Sequence, residues 1–224
     1  MTNLFDKSNP DGILPRLQKL ETRLGLPESF CEALLNEDDW SFIIKIHALI
    51  EGALTHALVA SIGVESMRGI FSRLDTSSPR TGKVEFAKAL DLLSSEDRAS
   101  IRYLSELRND LVHKVQNVSF DLKAHVRSLD KDQRKKFLHN FGYWETSIEE
   151  EENEHAQWQH VLDNPKVMIW KSILLVLATL AVEASKSELR REKVLIELET
   201  LDLLKEEDAR FRVWLKDHMS QEET

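Results

Sequence analysis

Cysteine occurs once in the 224 residues, as Cys31, so no internal disulfide can form and no cysteine-based metal motif exists. That usage fits a reducing cytoplasm. Glycine (seven) and proline (five) are also scarce, and, Gly52 apart, they fall between periodic segments rather than inside them. Period-two runs of β-branched and aromatic residues are nearly absent, which removes the sheet-containing classes and leaves an all-α fold. Basic residues are the minority, 30 against 39 acidic, for a formal charge of −9. That balance argues against a protein that coats nucleic acid, although a small local basic cleft stays compatible with it. Phosphate-cradling glycine loops, nucleophile elbows and zinc-type spacings are missing as well, which sets aside the enzyme classes built on them. No metal or cofactor is expected.

Long apolar runs are limited to one, Val167–Val182. Lys171 interrupts it, and it is shorter than the roughly 20 residues a bilayer crossing needs. A buried or subunit-interface helix is expected there, with no membrane partner. The opening MTNLFDKSNPDG lacks the basic-then-apolar pattern of a signal peptide, so a cytoplasmic location is expected.

Hydrophobic residues make up 42%, ample for a real core. Residues 1–38 read as a frayed start and two short helices, about 15–24 and 27–36. Gly25 is placed as a stop and Pro27 in a first turn. A core of helices follows over 39–186. Its first helix, capped by Asp38 or Asp39, spans Trp40 to about Ile62 with Ile43, Ile46, Ile50, Ala53, Leu54, Ala57 and Leu58 on its apolar face. His47 and Glu51 lie on its edge, four apart, and read as a surface pair lacking a third metal ligand. Ser77-Ser78-Pro79 marks a loop, and GKVEFAKALDLL predicts a helix over 82–93. Ser94 with Asp97, and Asp130 with Gln133, have capping-box spacing. The run Glu149–Glu152 reads as solvated, and His155 and His160 suit no compact site. Asn164-Pro165 opens a helix expected to reach at least Lys186. Residues 187–224 form a helical arm: Val194, Leu198 and Leu201 continue a narrow apolar seam, and Phe211–Leu215 add a last amphipathic piece.

The chemically informative segment is Arg108-Asn109-Asp110-Leu111-Val112-His113, late in a helix over about 95–115. At roughly 100° per residue, Ile101, Leu104, Leu107, Leu111, Val112 and Val115 form one apolar stripe, and Arg108 lies inside it. A guanidinium there is costly unless paired or beside a wet cleft. Asn109 and His113, four apart, share the polar flank.

This order of features resembles the HEPN superfamily of helical domains. Its ribonuclease members carry Arg, four to six residues, then His, often with Asn after the arginine. The context is similar to one related branch, the mannitol operon repressor family. Shared are an early helix with an internal glutamate (KIHALIEGAL), a FAKALDLL-type helix, LSELRNDLVH, SFD opening another element, and a late aliphatic helix. The resemblance covers about residues 40–185 and implies a helical bundle with extra C-terminal helices. It further implies a metal-independent endoribonuclease site in a homodimer-interface cleft, with Arg108, Asn109 and His113 catalytic. Arginine's fork suits phosphate oxygens and growing negative charge; histidine suits proton transfer. Arg108 and His113 stand roughly 140° apart on one helix, so converging chemistry needs a two-fold mate. The dimer would pack along the motif helix or the Val167–Val182 helix. Asn109 would hold substrate or fix the imidazole tautomer, and Glu51 would pair with and position Arg108.

Three functions follow as expectations. One is a toxin- or defence-type ribonuclease acting on RNA. Another is a non-catalytic regulator of the mannitol operon repressor kind, working through a protein partner on the arm, since no basic recognition helix is present. The weakest is an antitoxin or immunity subunit, for which net charge is the one argument. Some HEPN toxins carry a modifiable tyrosine two positions after the histidine; Val115 stands there in this chain.

Overall fold

The computed structural model describes residues 13–113, 118–142, 159 and 163–219, and these are helical with no strand among them. The chain divides into two compact units, Met1–Ala184 and Ser185–Thr224. In the first unit the order is α1 (Ile13–Arg23), α2 (Phe30–Ala33), α3 (Asp39–Ile62), α4 (Arg68–Phe71), α5 (Lys83–Ala89), α6 (Ser95–Val112), α7 (Leu122–Ser128) and α8 (Lys131–Phe141). Short 3₁₀ turns follow α2 and precede α4. The last helix, α9, runs Pro165–Met219, and residues 165–184 belong to this unit.

Helix α3 is the axis of the core. Phe42, Ile43, Ile46, Ile50, Ala53, Leu54, Ala57 and Leu58 are fully buried, so the helix is apolar around most of its circumference rather than along one stripe. Asp38 caps it by accepting the Ser41 N–H (2.9 Å), and Gly63 ends it in the left-handed conformation that glycine adopts without strain. Around α3 pack α4, α5 and α6. Its first residue, Asp39, also accepts the Leu122 N–H (2.8 Å) and pairs with Lys166 (2.7 Å), which ties α7 and α9 to the same end. Residues 165–184 add Met168, Ile169, Ile173, Leu174, Val176, Leu177 and Leu180 to the core, and Ser172 donates to the Phe141 carbonyl at 2.7 Å.

A small polar junction sits at Cys31. Its N–H donates to Glu21 Oε1 (2.8 Å) and its carbonyl accepts the Trp170 indole N–H (2.6 Å), so α1, α2 and α9 meet there. The thiol is buried. Desolvation, then the Glu21 hydrogen bond and charge, push it far above the usual thiol range.

Both expected capping boxes form, Ser94–Asp97 on α6 and Asp130–Gln133 on α8. Several boundaries differ from expectation. α1 begins at Ile13, inside the stretch expected to be frayed. α5 stops at Ala89, not 93, because Asp91 turns left-handed (φ 54°). The Leu92 N–H then closes on the Ala87 carbonyl (2.9 Å) and Asp91 on Lys88 (3.1 Å), a Schellman closure. α6 ends at Val112, which is 38% exposed, so the buried stripe is shorter than expected; Val115 lies outside the described residues. The arm is one uninterrupted continuation of α9 to Met219 rather than separate pieces. Glu149–Glu152, His155 and His160 lie outside the described residues.

Asp39–Ile62 and Pro165–Trp214 each hold an 18-residue stretch long and apolar enough to cross a membrane. Of those stretches, 67% and 56% is buried inside the protein, the pattern of core helices in a bundle.

Candidate functional site

The site forms where α3 and α6 face the loop that joins α4 to α5. From α6 the contributors are Ser105, Arg108 and Asn109, one turn apart and therefore on one face. From α3 they are His47 and Glu51, also one turn apart. The loop adds Asp75, Thr76 and Ser77, and together these residues line a cavity of about 130 Å³.

The loop is shaped by its own backbone. Asp75 Oδ1 accepts the N–H groups of Ser77 (2.8 Å) and Ser78 (2.5 Å). The Lys83 and Val84 N–H groups return to the Asp75 and Thr76 carbonyls (2.9 and 3.1 Å). Gly82 sits where a Cβ would fall 2.5 Å from the Ser78 carbonyl oxygen, so the tight return admits no side chain. This return sends Lys83 inward. Its side chain is 1% exposed, and its ammonium donates to Glu51 Oε1 at 2.8 Å.

That pairing corrects the expected role of Glu51. Its carboxylate is held by Lys83, not Arg108, because the α4–α5 loop turns a buried cation onto it. Arg108 is half-buried, lines the cavity, and donates to Asn109 Oδ1 (3.0 Å). Among the described residues it forms no ion pair.

His47 is also corrected. It is buried, not a surface partner of Glu51, and its Nε2 lies 3.1 Å from Ser105 Oγ. Ser105 spends its hydroxyl proton on the Ile101 carbonyl (2.9 Å), so it accepts from His47 Nε2–H. The imidazole thus carries its proton on Nε2 and keeps a lone pair on Nδ1. Burial, then the nearby Arg108 charge, hold its pKa below the ordinary value, so the ring stays neutral near pH 7. The same proton assignment rules out Ser105 as a histidine-activated nucleophile, since the histidine donates to it.

His113 stands apart. It is the C-cap residue of α6, exposed, with its N–H on the Asn109 carbonyl (3.3 Å), and it does not line the cavity. A single chain therefore brings Arg108 and Asn109 together and leaves His113 on the surface beyond them.

Two wider hollows, about 220 and 400 Å³, flank the other side of α6 and share Leu107, Asp110 and His125. Lys136, which lines the smaller of the two, is already engaged by Glu106 (3.1 Å) and by the face of Tyr103. Among the described residues, no group of three or more His, Cys, Asp or Glu side chains is placed to hold a metal ion.

His47, Ser105, Asp75 and Lys83 were not singled out as site residues from the sequence. Ser105 was the readable one: a polar residue one turn before Arg108 and Asn109, on the same face, between Ile101 and Leu104 on one side and Leu107 and Leu111 on the other. Lys83 left no such mark, because a lysine opening an amphipathic helix is ordinarily solvated. No protein-family model, curated protein or solved structure matches the chain.

Proposed function

We propose that this chain is a metal-independent endoribonuclease of the HEPN type, acting in the cytoplasm as a homodimer. Arg108, Asn109 and His113 of the two copies would line a shared cleft. The observation that carries the reading is the state of Arg108. It sits half-buried at a polar cavity, donating to Asn109, and among the described residues no carboxylate forms an ion pair with it. A structural arginine at such depth would normally be closed by an acid. Glu51, the nearest acid in the expected scheme, is instead satisfied by Lys83. An uncommitted guanidinium of this kind suits a phosphodiester.

His113 supports the same reading through its exposure. Val112 beside it is 38% exposed, an apolar contact point for a partner copy. The Val167–Val182 segment is the poorer dimer face, since most of its apolar side chains are already buried in its own chain. In the dimer, Arg108 of one copy would bind the scissile phosphate while His113 moves the 2′-hydroxyl or leaving-group proton. Incubating the full chain with tRNA and total RNA in chelator tests this. Cleavage abolished by His113→Ala and by Arg108→Ala is expected; no cleavage, or cleavage untouched by both, refutes it.

A second reading has its own observation. In Ser185–Thr224, Leu189, Val194, Leu195, Ile196, Leu198, Leu201, Leu203 and Leu204 are all more than half exposed. That surface favours a non-catalytic regulator that works through a protein partner. Loss of partner binding on deleting 187–224, in a chain without RNA cleavage, would decide for it.

A further inference from the structure

We propose that the cavity beside Arg108 is a guanine-reading pocket, which sets the nucleotide next to the scissile phosphate; this rests on the ribonuclease reading above. Its size comes first. At about 130 Å³ it falls well below the roughly 300–1,000 Å³ of pockets that enclose a whole small molecule. It admits a fragment such as one base, with the sugar and phosphate left outside beside Arg108.

Its polar pattern selects the base. Glu51 spends Oε1 on Lys83 and Asp75 spends Oδ1 on the Ser77 and Ser78 N–H groups. Among the described residues, the second oxygen of each carboxylate has no partner. His47, 6% exposed, donates through Nε2 to Ser105 and leaves Nδ1 as an acceptor. No fully buried side-chain nitrogen or oxygen lacks a partner among the described residues, and His47 lines the cavity. Asn109 spends Oδ1 on Arg108 and keeps its amide hydrogens. Glu51, Asp75, His47 and Asn109 therefore contribute three acceptors and one donor group, and the Arg108 guanidinium and the Thr76 and Ser77 hydroxyls complete the wall.

Unpaired RNA bases are read on their Watson–Crick edges. Guanine alone presents two adjacent donors there, N1–H and the N2 amine, beside the O6 acceptor. Adenine and cytosine offer one donor group and uracil a single N–H. The two free carboxylate oxygens and Nδ1 match the guanine donors, and the Asn109 amide matches O6. A misread base would leave buried acceptors facing acceptors, which is the costly arrangement.

Binding of the four nucleoside 3′-monophosphates and of 3′-inosine monophosphate to the full chain, by titration calorimetry, tests the pocket without requiring catalysis. The guanosine nucleotide should bind about tenfold or more tighter than the other three, the size of one good bidentate base contact. Inosine, lacking the N2 amine, should lose most of that advantage. Asp75→Asn keeps an oxygen for the Ser77 and Ser78 N–H groups but turns the free acceptor into a donor. It should remove the guanosine preference. Equal binding of all nucleotides, or a preference that survives Asp75→Asn, overturns the pocket. Cleavage without a guanosine bias in the RNA ends would overturn it too and leave the ribonuclease reading standing. Selective guanosine binding by a chain that cuts no RNA would support the pocket and remove the nuclease.

Discussion

The Lys83–Glu51 pair makes an unequal prediction. Lys83 is 1% exposed and Glu51 37%. Glu51→Ala strands an ammonium in the core with no counter-charge, which for a buried pair costs about 3–5 kcal/mol. Lys83→Met removes that charge, keeps the unbranched apolar stem, and leaves a carboxylate that water already reaches. Its cost should stay near or below about 1 kcal/mol. The double variant, Glu51→Ala with Lys83→Met, should recover most of the loss, a coupling of roughly 2–3 kcal/mol. Urea unfolding followed by far-UV circular dichroism reads all three. With a slope of about 2 kcal/mol per molar urea, the Glu51→Ala midpoint should fall by about 1.5–2.5 M while the Lys83→Met midpoint moves by less than about 0.5 M. Equal losses in the two single variants would refute the asymmetry, and with it the reading of Lys83 as the buried partner of the pair.

Arg108→Ala, by contrast, should cost under about 1 kcal/mol in the same melts, because the side chain it releases is a half-exposed Asn109 rather than a stranded charge. Ser94→Ala should lower stability by about 1 kcal/mol, since the box closes one end of α6; a calorimetric melt checks it. Gly82→Ala has no room against the Ser78 backbone and should destabilise by more than the roughly 0.4–1 kcal/mol that a compatible Gly→Ala gains, read as a lowered melting temperature. His47 and His125 both have lowered pKa values, chiefly from burial. The unfolded chain therefore binds protons that the folded chain refuses, and stability should fall as pH drops from about 6.5 toward the folded values. A urea midpoint that is flat between pH 7 and 5 in the wild type would contradict this, and His47→Gln should flatten part of the slope.

The fold was readable where local chemistry decides it. Asp38, Ser94–Asp97 and Asp130–Gln133 stop and start helices by short-range hydrogen bonds, and each cap formed as its spacing implied. The apolar face of α3 was readable for the same reason. The site was half-readable. Arg108 stood out because it interrupts a periodic stripe, and Asn109 because it follows the arginine on the polar flank. What they meet is set by a loop whose course depends on Asp75 and Gly82, and no periodicity encodes that course. Hence Glu51 was assigned to the wrong cation, and His47 to the surface when Ser105 draws it inside. Fold class follows from pattern, whereas the partner of a given charge follows from tertiary approach.

The junction at Cys31 gives the molecule a built-in clock. The thiol is the chain's single one, buried where α1, α2 and α9 are tied by the Glu21 and Trp170 hydrogen bonds. A thiol reagent can reach it only during excursions that part those helices, and only as thiolate. Its labelling rate, divided by that of the unfolded chain, counts the fraction of time the junction stands open. An opening free energy of about 4 kcal/mol would slow labelling by roughly a thousandfold. RNA or a second copy that stabilises the closed bundle should slow it further, in proportion to occupancy. Ligand binding could then be followed from a position remote from the site, in the unmodified sequence.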